Sequence, residues 1–457
     1  MFFDFKLQTI DKIKITCSDH FLEEKRYVFD VLFNELLEIE YNLELSNIHE
    51  YVVSFRSKKI IIKDSFFSAL DANEKYFNSS ENIPQEVKRI SIEEFNIINL
   101  PVLFGDDGYS KSEDKYVLGV DIIASAFYML SRWEEYAIRK RDQFERFPEK
   151  ESLAIKNGFN KRPVVNEYAN LLSNCLLKIG FKHAIKREYR VFITHDIDDF
   201  ARYDKFSKFI KALVGDIVKR HSIRSFFITL SDYFKINLNK QKDVYNTFDF
   251  LMNKSDEIGV KSRFYFIPGK IGESDVRFDI DNPKVIKTIK EIEKRGHIVG
   301  IHPGFETLGN REQLFSEVNR LRRYVDRLEE GRQHYLRVKL PVTLNDWSDA
   351  GLKIDSSLGF YSTIGFRSGI CQEYEIFDFI ERQKTGLIER PLLVMDTALR
   401  SETNTKEEFV EEVCKLNQLV KEFSGDFVLL WHNSNLLRNE WYNWDKVYQE
   451  ILNKIKL

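Results

Sequence analysis

Tyr189-Arg190-Val191-Phe192-Ile193-Thr194-His195-Asp196-Ile197-Asp198-Asp199-Phe200 decides how this chain is read. Residues 189–193 form a short apolar run, the pattern of a buried strand. Acidic groups directly after such a strand sit at its C-terminal mouth, where ligands and catalytic groups collect in α/β folds. His195, Asp196, Asp198 and Asp199 crowd into five positions. They repel or desolvate one another unless a cation or a solvated cleft accepts them. A polar loop capping the next helix, with Asp199 as N-cap, is the competing reading; the crowding favours a metal or catalytic site.

Working outward toward the C-terminus, strands and helices alternate. Residues 260–267 read as a strand stopped by Pro268-Gly269. Residues 283–295 read as a helix, with Pro283 at its start, an inner face of Val285, Ile286, Ile289 and Ile292, and Gly296 after its end. Residues 297–303 read as the next strand, 311–330 as another helix, 337–339 as the start of a strand, and 426–432 as a late buried strand. Such strand-then-helix units predict parallel α/β architecture, a (β/α) barrel that is incomplete. Polar residues close these strands: Asp198, His302, Arg337, Asp355 and His432. In a barrel those ends meet on one face. His297 and His302 are an odd number apart and point to opposite faces of a regular strand. His302, at the C-terminal end, is the candidate ligand, and His297 a packed or capping residue.

Before residue 187 the pattern is mixed. Residues 12–15, 51–55 and 59–62 read as strands and 21–38 as a helix. Residues 121–136 read as an apolar helix ending in a charged, aromatic turn. Around it, Arg132, Glu134, Glu135, Arg141, Asp142 and Arg146 read as a solvated helix end rather than a buried ion-pair network. Gly105-Asp106-Asp107-Gly108 reads as a turn. The expected organisation is therefore a smaller N-terminal α+β domain over 1–186 and a barrel domain over 187–457.

Composition excludes several classes. The formal net charge of -3 over 457 residues gives no global pull toward nucleic acid or an anionic membrane. The four cysteines, Cys17, Cys175, Cys371 and Cys414, are scattered and suit a reducing compartment. Residues 1–6 lack the basic and apolar regions of a signal peptide. No stretch approaches the roughly 18 uninterrupted apolar residues of a spanning helix. The expected location is cytoplasmic.

Residues 190–435 resemble the NodB-type polysaccharide deacetylase family, in a divergent branch. Thr194-His195-Asp196-Ile197-Asp198 resembles its first motif, with an extra residue between the acids. Gly296-His297-Ile298-Val299-Gly300-Ile301-His302 resembles the second, with Glu306 where the family has a further metal-binding His. Arg337 with Pro341 resembles the third. Asp355-Ser356-Ser357-Leu358-Gly359 with Gly365-Phe366-Arg367-Ser368-Gly369 resembles the fourth, and Leu429-Leu430-Trp431-His432-Asn433 the fifth. The N-terminal part resembles an accessory domain of unknown activity. The resemblance implies a seven-stranded NodB-like barrel and a hydrolase of carbon–nitrogen, non-peptide bonds that removes an acetyl group from an N-acetylated sugar.

It further implies a divalent ion, zinc in the first instance, held by Asp198 and His302, with Glu306 or His195 as candidates for the missing ligand. Asp196 would act as base, oriented by Arg337, and His432 as acid. The Asp-x-Asp spacing leaves open which acid is base and which is ligand. Asp355, Arg367 and Trp431 are expected at the carbohydrate. A non-catalytic carbohydrate-binding or assembly protein on a degenerate barrel is the rival reading. No nucleic-acid motif is present. Residues 205–242 carry nine Lys/Arg beside Asp216 and Asp232, with Phe206, Phe209, Ile210, Leu213 and Ile217 at helical spacing. This stretch reads either as a barrel-covering helix pair or as a peripheral membrane contact overhanging the active face.

Overall fold

The computed structural model describes residues 12–71, 74–270, 272–438 and 441–456; residues 1–6, read above for a signal segment, lie outside them. The strand Arg190–Ile197 is buried at every position after Arg190. A strand covered on both faces reads as a continuous apolar run rather than an alternating one, which is why its signal was so plain. It is flanked in parallel by Asp426–Leu430 on one side and Arg263–Phe266 on the other. The full sheet runs Tyr374–Asp378, Gln383–Glu389, Ile354–Asp355, Glu330–Gly331, Ile298–Ile301, Arg263–Phe266, Arg190–Ile197, Asp426–Leu430, Val394–Met395. Every pairing is parallel except Tyr374–Asp378 with Gln383–Glu389. This is a mixed α/β fold around a parallel sheet.

The sheet differs from the expected seven-stranded barrel in two respects. It has nine strands, and among the described residues no ladder joins its edges Tyr374–Asp378 and Val394–Met395. The extra antiparallel strand has a local cause. Residues 379–382 turn the chain back on itself, and the outer strand is held by the N-terminal part of the chain. There the Tyr27 hydroxyl donates to the Glu375 carbonyl at 2.9 Å, and Arg382 makes two 2.8 Å bonds to Glu24.

Helices obey their local signals. Asn282 accepts from the Lys284 N–H, Pro283 opens the helix Pro283–Lys294, and Val285, Ile289 and Ile292 bury its inner face. The helix Arg311–Arg322 stops well short of residue 330. Residues 337–339 form no strand; the strand of that region is Glu330–Gly331. Gly331 is required there, because a Cβ would come within 2.0 Å of the Ile301 carbonyl oxygen.

A second sheet runs Tyr41–Leu45, Ile13–Cys17, Glu50–Phe55, Lys58–Lys63, Lys115–Val120, Gly105–Lys111. The expected turn at Gly105-Asp106-Asp107-Gly108 is instead the start of its edge strand, with a register shift between Gly105 and Tyr109. The Gly108 N–H donates to Asp106 Oδ1 at 2.8 Å inside this bulge. Buried apolar side chains of both sheets join one continuous cluster.

The charged turn after the helix Ile122–Ser131 is not solvated as expected. Arg132, Glu134 and Glu135 are buried. Arg132 binds Glu135 through Nε and Nη2, and Arg367 reaches the same carboxylate from the larger sheet's side at 3.0 and 2.8 Å. Two guanidinium groups on one carboxylate make burial tolerable by matching charge and hydrogen bonds together.

Candidate metal centre and active site

The C-terminal ends of three parallel strands of one sheet, Arg190–Ile197, Ile298–Ile301 and Glu330–Gly331, bring Asp198, His302 and His334 together. One ligand atom from each lies within 4.8 Å of the others. His302 Nε2 is 3.3 Å, and His334 Nε2 3.5 Å, from Asp198 Oδ1, which accepts no well-aligned hydrogen bond. Both imidazoles are anchored through their other nitrogen. His302 Nδ1 donates to the Arg332 carbonyl at 2.6 Å, and His334 Nδ1 to the Asp275 carboxylate. A carbonyl or carboxylate only accepts, so each Nδ1 carries a proton, and Nε2 is the nitrogen that each ring turns toward Asp198. Two such nitrogens and a carboxylate oxygen, all on buried or half-buried residues, fit a divalent cation with an open position.

Two further groups flank the triad. Asp196 Oδ1 accepts from Arg332 Nη1 at 2.8 Å, and its Oδ2 lies 3.8 Å from His302 Nε2. The same guanidinium is fixed by Thr194 Oγ1, the Ser356 carbonyl and Ser356 Oγ. On the other side His432 Nε2 is 3.8 Å from Asp198 Oδ2, while its Nδ1 bonds Asp396 Oδ1 at 2.8 Å. Asp396 in turn accepts from the His432 N–H and from Asn435 Nδ2.

The electrostatics follow from these neighbours. Burial pulls the His432 imidazole down, but Asp396, with Asp198 and Asp196 behind it, outweighs this and pushes it up to about 10. Burial raises Asp198, and the surrounding His334, His302 and His432 overcome this and hold it far below the usual carboxylate range. His302 is likewise raised, because Asp196 and Asp198 outweigh its burial.

The turn carrying His334 is strained. Tyr335 and Leu336 both adopt left-handed backbone, at φ 58° and 55°. Such conformations persist in non-glycine residues only where the surroundings impose them. Here the N-terminal part of the chain does so. Phe144 stacks on Tyr335 with ring centroids 5.0 Å apart, and Arg146 Nη1 donates to the Tyr335 carbonyl at 3.2 Å.

Several expected site residues lie elsewhere. Arg337 does not hold Asp196: its guanidinium binds the Phe144 and Phe305 carbonyls and Glu145, pinning that strained turn. Arg332 takes the role instead, because the strand ends at Gly331 and not beyond residue 336. Glu306 is exposed on a short outward turn and accepts from Ser274 Oγ. His195 faces the opposite side of its strand from Asp196, between Phe264 and Tyr448, with Nδ1 on the Trp431 carbonyl at 2.7 Å. Burial holds its imidazole down at about 4. His297 lies away from the cleft, its Nδ1 accepting from the Ser262 N–H at 3.0 Å.

The three residues expected at the carbohydrate are all turned inward. Asp355 accepts from Ser357, Arg367 is committed to Glu135 and the Gly359 carbonyl, and Trp431 is fully buried with Nε1 on the Asn435 carbonyl. Trp347, Phe360 and Phe366 are core residues as well. His334, Arg332, Asp275 and Asp396 were not anticipated. Their one signal was position: Arg332 and Asp396 each follow a two-residue strand directly.

Comparison with known proteins adds little detail. Residues 13–181 match the model of a family of unknown function, DUF7033. No curated protein matches. Among solved structures, a crystal structure from Mycobacterium smegmatis assigned as a polysaccharide deacetylase is similar at 13% identity and a TM-score of 0.36, covering 59% of this chain and 86% of that one. With similarity that low, the reading of the site rests on the chain's own geometry. Among the described residues, no helix is long and apolar enough to cross a membrane.

Proposed function

We propose that this chain is a metal-dependent hydrolase that removes an acyl group, acetyl in the first instance, from an N-acetylated sugar or polysaccharide precursor. One observation carries the reading. A ligand triad shares its cleft with two proton-transfer groups that are held separately, Asp196 by Arg332 and His432 by Asp396. A binding site would need walls and a cation, but not this pair.

Asp198, His302 and His334 would hold the cation, zinc by its preference for nitrogen and oxygen ligands. When bound, it would supply an acidified water, with a pKa near about 7, and polarise the acetyl carbonyl. Asp196 would accept the water's proton at Oδ2, since Oδ1 is committed to Arg332. His432, protonated at neutral pH, would give its Nε2 proton to the sugar nitrogen as the carbon–nitrogen bond breaks, leaving acetate and a free amine. Asp396 keeps the Nδ1 side occupied, so that Nε2 is the nitrogen that faces the cleft.

The test is metal content by mass spectrometry on the purified chain, with acetate release from N-acetylated sugars followed in parallel. About one divalent ion per chain is expected, lost in both His302→Ala and Asp198→Ala together with acetate release. A chain that takes up no ion after zinc loading overturns the mechanism.

A further inference from the structure

The helices Phe206–Val218 and Ile223–Asn237 form a hairpin that leaves the site's central strand just beyond Asp199. Its root is tied to the site's edge, where Lys208 bridges Asp199 and Asp204 at 2.9 Å each. It has a small core of its own. Tyr203, Phe209 and Val244 cluster apart from the main core, and Phe209 stacks on Tyr233 at 3.7 Å. Its outer side is unusual. Nine of the sixteen large apolar side chains that stand exposed among the described residues lie on this hairpin, including Ile223 at 70% and Phe206 at 64%.

We propose that this hairpin docks the protein on the surface of an anionic lipid bilayer. The proposal stands on the surface itself and holds whether or not the neighbouring cleft is catalytic. Spacing places Phe206, Ile210, Val214 and Ile217 on one stripe, and Ile223, Phe227, Phe234 and Leu238 on another. Lys211 borders the first stripe, and Arg224 with Lys235 the second.

Charge selects the occupant. Both carboxylates within the two helices are buried: Asp216 is satisfied by Arg220 and Thr229, and Asp232 by Arg438 and Gln241. Lys211, Lys219, Arg224, Lys235 and Lys240 are exposed and, among the described residues, meet no carboxylate. An apolar stripe whose charged border is cationic matches a headgroup layer of negative charge over hydrocarbon. A second copy is disfavoured, because a two-fold interface would set this cationic border against itself.

Flotation of the full chain with vesicles tests this. Phosphatidylcholine vesicles containing phosphatidylglycerol should carry the protein upward, phosphatidylcholine alone should not, and added salt should release it. Ile223→Ser with Phe227→Ser, and separately Lys211→Glu with Arg224→Glu and Lys235→Glu, should each lower partitioning at least about tenfold. All five side chains are exposed, so circular dichroism should be unchanged. The proposal is overturned by no flotation, or by flotation indifferent to both variants. It is equally overturned if vesicles retain nothing while light scattering shows a dimer that the apolar variant turns into a monomer.

Discussion

The Arg132–Glu135–Arg367 cluster and the Asp196–Asp198–His302–His334 cluster are both largely buried and both ionic, yet they are built to opposite ends. In the first, one carboxylate is bound by two guanidinium groups, and Arg367 sends its remaining nitrogen to the Gly359 carbonyl. In the second, Asp198 Oδ1 is faced by two Nε2 atoms at 3.3 and 3.5 Å and accepts no well-aligned hydrogen bond, while the far side of each ring is tied down. A saturated cluster joins surfaces. A converging cluster with its outer shell fixed and its centre unmatched is arranged for something to enter.

The sharpest way to break that contrast is His334→Ala. If His334 is a ligand, the variant loses cation affinity by more than about a hundredfold, a larger effect than removal of a supporting partner. Acetate release then falls to background, while the loss of metal-free stability is confined to the buried contact that the imidazole makes with Asp275. Retention of the cation would mean that Asp198 and His302 recruit another partner and that the triad is incidental.

Glu135→Ala probes the opposite cluster and should do the reverse. Two buried guanidinium groups lose their shared partner, at a cost of roughly 3–5 kcal/mol in chemical denaturation, with cation content per folded chain unchanged. Coupled loss of both properties would show that the clusters are not independent.

The smallest effect concerns Glu317, beneath the loop that follows His302. Its carboxylate accepts from the Gly304 N–H at 2.9 Å, and burial pushes it up to about 7. A carboxyl group raised in the folded state stays protonated there while the unfolded chain ionises. Its contribution is therefore fully present below about pH 4.5 and is lost as pH rises to about 7. Denaturation midpoints should show that decline, on the order of 2 kcal/mol or less, and Glu317→Gln should flatten it. A slope unchanged by the substitution assigns it to another group.

How much of this could be read from sequence depended on strand length. Asp198 and His302 close apolar runs long enough to display a strand, and the odd spacing of His297 and His302 sets one of them aside from sequence alone. The same parity, applied within Thr194-His195-Asp196-Ile197-Asp198, separates His195 from the two acids. His334, Arg332 and Asp396 follow strands of two residues, which carry no period to recognise. The sequence accordingly points to Arg337, five positions beyond the arginine that binds Asp196. The buried charge at Arg132, Glu134 and Glu135 could not be read locally, because the partner that makes it tolerable, Arg367, is 232 residues from Glu135 in the chain. The parallel α/β character of the larger sheet followed from alternation, whereas its antiparallel edge depends on contacts with Tyr27 and Glu24 that alternation does not encode.

Arg332 joins two duties that mutation can pull apart. Its side chain steadies Asp196, and its main-chain oxygen steadies His302. Substitution rewrites only the side chain. A descendant that lost this arginine would leave Asp196 without its guanidinium and keep the grip on His302. Under the proposed hydrolase reading, the distance between an enzyme and a cation-dependent receptor on this scaffold is a single codon, and drift at that codon would turn chemistry off and leave the cation's ligands in place.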